Sequence, residues 1–163
     1  MDLEHDIDRI AQQERAITFA AFDVDSAWEL GSRLRAVAQA RGLALYIEIR
    51  LNHETVFACA MQHSTPANVD WARRKRNTTE LMQRSSYGVG RMLERDNNTL
   101  ERQMGLATRD FASHGGSFPI RVQGCGVVGT VTVSGAPQRQ DHALVVEVLA
   151  GLCGVAYAEL ALA

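Results

Sequence analysis

Gly115-Gly-Ser-Phe-Pro-Ile-Arg-Val-Gln-Gly-Cys-Gly-Val-Val-Gly-Thr-Val-Thr-Val-Ser-Gly135 is the stretch whose reading decides the fold. The paired glycines 115 and 116 break the chain. Phe118–Val122 and Val127–Val133 then read as two strands joined by Gln123-Gly124-Cys125-Gly126. In the second strand Val127, Gly129, Val131 and Val133 alternate with Val128, Thr130, Thr132 and Ser134. That is the two-residue period of a pleated strand, and its β-branched content suits a central one. Ser134-Gly135-Ala136-Pro137 stops it. Gly124, Gly126 and Gly129 also spell GxGxxG, but a dinucleotide site needs a helix to follow those glycines. Here the chain continues as a strand, so the glycines read as a tight turn, with Gly129 allowing a neighbouring backbone to approach closely.

Working outward, Leu45, Ile47, Ile49 and Leu51 alternate with Tyr46, Glu48 and Arg50, and Thr55–Met61 returns after the turn Asn52-His53-Glu54, a second hairpin. Between the hairpins, Ser64-Thr65-Pro66 opens a helix that carries Trp71, Arg73, Arg74, Lys75 and Arg76. Ser85-Ser86, Gly88 and Gly90 interrupt it, and a second helical segment runs to about Asp96. Residues 97–113 are ambiguous and can hold a short strand. Upstream, Leu3, Ile7 and Ile10 mark an amphipathic helix over 2–15, and Ile17–Phe22 is a short apolar extended run. A helix capped at Asp25 or Ser26, with Ser26 and Glu29 as a capping box, ends at Gly42. Downstream, Asp141 can cap a last helix over 142–161 that is apolar nearly all round. Hairpins separated by helices make an antiparallel sheet with helices packed on it.

The GGxxP…GxVGxVxVSG pattern of 115–135, followed by Asp141-His142, resembles the signature of the GlcG/HbpS-like family, also called the haem-degrading domain family. Trp71-Ala-Arg-Arg-Lys75-Arg-Asn-Thr-Thr and Ser85-Ser86 resemble the matching part of a cytoplasmic branch. The likeness covers nearly the whole chain after the first helix. It implies an α/β fold of α+β type, profilin-like, with a five-stranded antiparallel sheet flanked by helices, and a symmetric homo-oligomer. Some relatives bind haem, so haem is the cofactor the resemblance brings, although the chain has no CxxCH attachment motif.

Composition bounds the rest. The 163 residues suit one domain over 1–163. Hydrophobic residues at 46% and charged residues at 22% exclude a disordered chain, and a net charge of −2 offers no basic field for nucleic acid. No apolar run reaches bilayer-spanning length, and the acidic start lacks a signal peptide's pattern, so the expectation is a cytoplasmic protein without membrane contact. Cys59, Cys125 and Cys153 lie in apolar runs and read as buried thiols with no zinc-like spacing. The all-round apolar last helix predicts a homo-oligomer.

Seventeen residues are basic, yet Lys75 is the only lysine. An ammonium differs from a guanidinium in geometry and in how readily its pKa moves. Lys75 is therefore a candidate ligand for an anionic small molecule such as a haem propionate. His114 is a candidate for a metal, haem iron or anion, and the adjacent Gly115 and Gly116 belong to the candidate site because they permit close approach of a ligand. His142 completes the candidate site. Asp110, Ser113 and His114, or Ser134, Asp141 and His142, supply hydrolase residue types, but sequence proximity does not make a triad and no GxSxG elbow occurs. Three functions stay open: a small-ligand or haem-binding homo-oligomer, a non-catalytic assembly module, and an enzyme of unknown reaction.

Overall fold

The computed structural model describes residues 2–162. Helix α1 (Leu3–Ala16) is capped by Asp2, whose carboxylate accepts from the amides of Glu4 and His5. Helix α2 (Val24–Ala40) begins two to three residues before the expected start. Asp23 is its cap, accepting from Ser26 N at 2.8 Å, and Asp23 N donates back to Ser26 Oγ. The capping box is thus Asp23/Ser26, and Glu29 instead pairs with Arg33 one turn on. The left-handed Gly42 ends the helix as expected (φ 66°).

Strands β1 (Tyr46–Leu51) and β2 (Glu54–Ala60) form the first hairpin, and β3 (Ser117–Val122) and β4 (Gly126–Ser134) the second. Between them lie α3 (Pro66–Met82), α4 (Ser86–Arg95) and the short α5 (Leu100–Met104). The ambiguous 97–113 segment therefore holds a helical turn and coil, not a strand. The four strands pair antiparallel with one another, in the order β2-β1-β4-β3. β4 is central, as its β-branched content predicted. A Cβ on Gly129 would strike the carbonyl of Arg50 on β1, so this glycine does serve backbone approach. Gly124 and Gly126, both at positive φ, make the turn.

The sheet has four strands among the described residues, not five. The run Ile17–Phe22 contributes only an isolated parallel bridge, Phe19 to Val122, held by Phe19 N→Arg121 O and Gln123 N→Phe19 O, both 2.9 Å. Ile17 is buried in the core and Phe22 packs against it, while Thr18, Ala20 and Ala21 are exposed, so the run does not extend the ladder.

Alternation gives the sheet two chemically different faces. Ile47, Ile49, Phe118, Ile120, Val131 and Val133 point into an apolar core with α2 and α6 (Gln138–Leu152). The other face carries Glu48, Arg50, Ser117, Thr130, Thr132 and Ser134, and α3 covers it. Several polar residues there pair: Arg76 with Glu48 (2.8 Å), Arg50 with Glu80 (3.0 Å), and Ser117 Oγ with Thr132 Oγ1 (2.8 Å), whereas the Thr79 and Thr130 hydroxyls are buried without a partner among the described residues.

The last helix differs from its expected span of 142–161. It starts at Gln138 and ends at Leu152, and after the left-handed Gly154 a short α7 (Tyr157–Leu160) follows. Asp141 therefore lies in the first turn and is not the cap. The apolar surface of α6 is consumed within the chain, since Leu144, Val145, Val146, Val148, Leu149 and Ala150 are all buried. That surface cannot be what an oligomer covers. Cys125 is exposed on the β3–β4 turn and Cys59 and Cys153 are half-buried, so the expectation of buried thiols fails for Cys125 outright. Among the described residues no helix is long and apolar enough to cross a membrane.

Candidate functional site

Lys75 lies on the sheet-facing side of α3 and is 3% exposed. Its ammonium donates to Gly115 O (2.9 Å), Val133 O (2.7 Å) and Asp141 Oδ2 (3.1 Å). An ammonium has three protons, so every donor is spent. The carboxylate of Asp141 also accepts from Ala136 N (3.1 Å) and Gly135 N (3.4 Å). The pair thus ties together α3, the end of β4, the 115 loop and the first turn of α6. Burial pushes the Lys75 ammonium down and the Asp141 carboxyl up, and each partner's charge opposes the other's shift.

Gly116 makes room for this pair. It sits at φ 128°, and a Cβ there would strike both Val133 O and Lys75 Nζ. A Cβ on Gly115 would strike the Gln138 carbonyl. These glycines permit close packing of the protein on itself, where the sequence suggested close approach of a ligand.

Above the pair opens a cleft of about 280 Å³, near the lower limit for small-molecule sites. Lys75, His114, Gly115 and Asp141 line it, with Trp71, Asn68, Gln138 and the Ser134–Ala136 turn. Lys75 and His114 therefore share one cleft, but with different roles. Lys75 is its buried floor, and His114 stands exposed at its rim. The His114 ring meets Trp71 edge-on at 4.8 Å, and the Arg74 guanidinium lies 4.4 Å over the Trp71 ring. Desolvation, then the charges of Lys75 and Arg74, lowers the His114 pKa and leaves the imidazole neutral at pH 7. It makes no hydrogen bond to any described residue.

His142 is elsewhere. It is 1% exposed, packed against Tyr87 and Phe118, with Nε2 2.8 Å from Gln13 Oε1. Gln13 Nε2 donates to Leu160 O (2.7 Å), which fixes the amide's orientation, so Nε2 of His142 carries the proton. Burial lowers its pKa to about 3. The side chain helps join α1, α6 and α7 and does not line the cleft. His142 followed Asp141 in the sequence signature, but successive helix positions face 100° apart.

The arginines of α3 are not a solvated row. Arg73 donates to Asp110 Oδ1 (2.9 Å) and Arg109 O (2.8 Å), Arg74 Nε to Thr108 O (2.9 Å), and Asn77 to Asp110 O (2.9 Å). Arg109 returns to Asp70 at 2.8 Å. They clamp the loop that delivers His114. Asn68, Ser134, Gln138 and Asp141 are cleft residues that sequence reasoning missed as a group. For Asp141, which the sequence offered only as a helix cap or a hydrolase residue type, the signal that was there to read is the solitary lysine, which needs a counter-charge once buried.

A four-stranded antiparallel sheet with a polar, helix-covered face and a cleft at the end of its central strand defines a single-sheet α+β domain. Residues 22–150 match the family described as haem degrading protein HbpS-like, and the chain belongs to it. A UPF0303 protein of Azotobacter vinelandii is 54% identical over 162 residues, covering 99% of this chain and 98% of that protein. One of Paraburkholderia phymatum is 52% identical over 163 residues, covering 100% and 99%. Among solved structures, the Ybr137w protein is similar with a TM-score of 0.83 and 22% identity over 91% of this chain and 87% of that one. HbpS itself gives 0.64 and 17%, over 80% and 89%. The PduOC:heme complex gives 0.69 and 16%, over 80% and 94%. At these identities the structural likenesses establish the fold alone.

Proposed function

We propose that this domain binds a small ligand in the cleft above the Lys75–Asp141 pair, with His114 as the ligand-contacting group. The observation that carries the reading is the His114 imidazole: neutral, exposed at the rim, without a hydrogen-bond partner among the described residues, and braced edge-on by Trp71. Such a ring offers a lone pair to a metal centre or a hydrogen bond to a polar ligand. Asn68, Gln138 and Ser134 add polar atoms around a floor whose charges cancel.

Haem, with which the similar PduOC forms a complex, fits this cleft in part. A neutral imidazole suits haem iron. The propionates have no partner in Lys75, whose three donors are spent, and about 280 Å³ holds an edge of the macrocycle. Haemin titrated into wild type should give a Soret shift that His114→Ala abolishes. Equal, featureless binding by both proteins would remove haem as the ligand. For the cleft itself, small polar and aromatic fragments at millimolar concentration should shift the Trp71 indole N–H resonance. If none does, the ligand-binding reading falls.

We also propose self-association, through a different surface from the one the sequence suggested. Trp28 is 69% exposed and Val24 61% exposed on α2, and the Trp28 ring packs edge-on against Phe57 of β2 at 5.8 Å. Among the described residues β2 is an edge strand, paired only with β1. Apolar side chains beside unpaired strand groups suit a second copy of the chain.

A further inference from the structure

We propose that a second cleft, beyond the C-terminal end of α3 whereas the His114 cleft lies along its first half, binds a phosphate dianion. It lies between the end of α1, the α3–α4 turn and β3, with a volume of about 440 Å³. Ala11, Glu14, Arg15, Thr18, Arg84 and Arg121 line it, three guanidinium groups against one carboxylate.

The carboxylate is already committed. Glu14 Oε1 accepts from Ser85 N (2.7 Å) and Ser85 Oγ (2.8 Å), and Oε2 accepts from Arg84 Nε (3.1 Å). Both oxygens are used in fastening α1 to the start of α4. Two positive charges in the cleft are left without a counter-charge, in a chain whose net charge is −2.

The guanidinium donors, by contrast, are largely open. Arg15 makes no side-chain hydrogen bond to a described residue. Arg121 uses Nη2 on Gln83 O (2.7 Å), leaving Nη1 and Nε. Arg84 Nη1 meets the thioether of Met92, a weak acceptor that an anionic oxygen would displace. Planar forks with open N–H pairs match the oxygens of a phosphate, and a dianion balances the two charges. The Thr18 hydroxyl, whose one proton now goes to Arg15 O at 3.4 Å, lies at the rim and joins the donors only on turning from that weak bond. A carboxylate would satisfy one fork and neutralise one charge, so the chemistry favours a phosphate, free or as the terminal group of a small monoester.

Isothermal titration at constant ionic strength tests this, with inorganic phosphate and phenyl phosphate as probes. Saturable binding is expected, with a Kd on the order of 1 mM or tighter. Arg15→Gln and Arg121→Gln should each weaken it about tenfold, the worth of one charge-assisted bond. His114→Ala should leave it unchanged, which separates this site from the ligand cleft. Equal affinity for the two probes assigns the site to the phosphate group alone, and tighter phenyl phosphate assigns it to a monoester. No saturable heat with either probe, or wild-type affinity in both arginine variants, overturns the proposal.

Discussion

At the scale of the residue, the one lysine is a buried, fully paired ion, and His114 is an exposed imidazole at the rim of the cleft, without a hydrogen-bond partner among the described residues. Lys75→Met leaves the Asp141 carboxylate buried without its cation, and breaking a buried pair this way costs about 3–5 kcal/mol. Urea unfolding should show that loss. In Lys75→Met/Asp141→Asn the stranded charge is gone while an amide oxygen can still accept from Gly135 and Ala136, so most of the loss should be recovered. A double variant as unstable as the single one would show that shape, not charge, dominates. His142 makes a second residue-level prediction. Its folded pKa is depressed to about 3 from 6.5, so between those values the unfolded chain takes up a proton that the folded chain refuses. Acidification from pH 6.5 towards 4 should therefore remove up to about 1.4 kcal/mol of stability per pH unit from this group. His142→Gln, which keeps an N–H for Gln13, should flatten the stability–pH curve in that window. An unchanged slope would mean that other groups carry the acid sensitivity.

At the scale of the element, α3 does two jobs that its polar sequence disguised. One side covers the polar face of the sheet through Lys75, Thr79 and Arg76, all buried or nearly so. The other clamps the 108–114 loop through Arg73, Arg74 and Asn77, and Ala112 N donates to the Arg74 carbonyl at 3.1 Å. Removing the Arg73 and Arg74 side chains together should free the loop without melting the helix, since exposed ion pairs contribute about 0–1 kcal/mol each. Hydrogen exchange should then accelerate at Phe111 and Ala112 while the β1 and β4 amides keep their protection. Equal acceleration in the sheet would show that the clamp supports the whole fold.

At the scale of the molecule, the exposed Trp28–Val24 patch and the bare β2 edge predict association, and α6 does not. Trp28→Ser should shift light-scattering mass towards the monomer at micromolar concentration, with a cooperative unfolding transition retained. A wild-type protein that is already a clean monomer removes the proposal. A variant that remains fully assembled moves the interface to another face.

Legibility followed physical range. Strand periods, the β4 central position, the Gly129 approach and the C-terminal ends of α2 and α4 were readable from local pattern, because they depend on residues a few positions apart. The family was readable for the same reason, since turn glycines and β-branched runs are local necessities. The fifth strand came with the family resemblance, and the segment left ambiguous, 97–113, forms a helical turn and coil because its chain is held by α3 side chains and not by a strand ladder. The site was half legible. Lys75 and His114 do meet at one cleft, whereas His142, adjacent in sequence to Asp141, turns away to Gln13. The sequence by itself determined the class of fold and which unusual residues to watch. Only the tertiary structure decided that Lys75 is saturated, that the arginines clamp a loop, and that α6 is covered by its own chain. Each depends on partners 30 or more positions away, and hydrogen-bond saturation and burial are properties of those distant contacts, which no local pattern encodes.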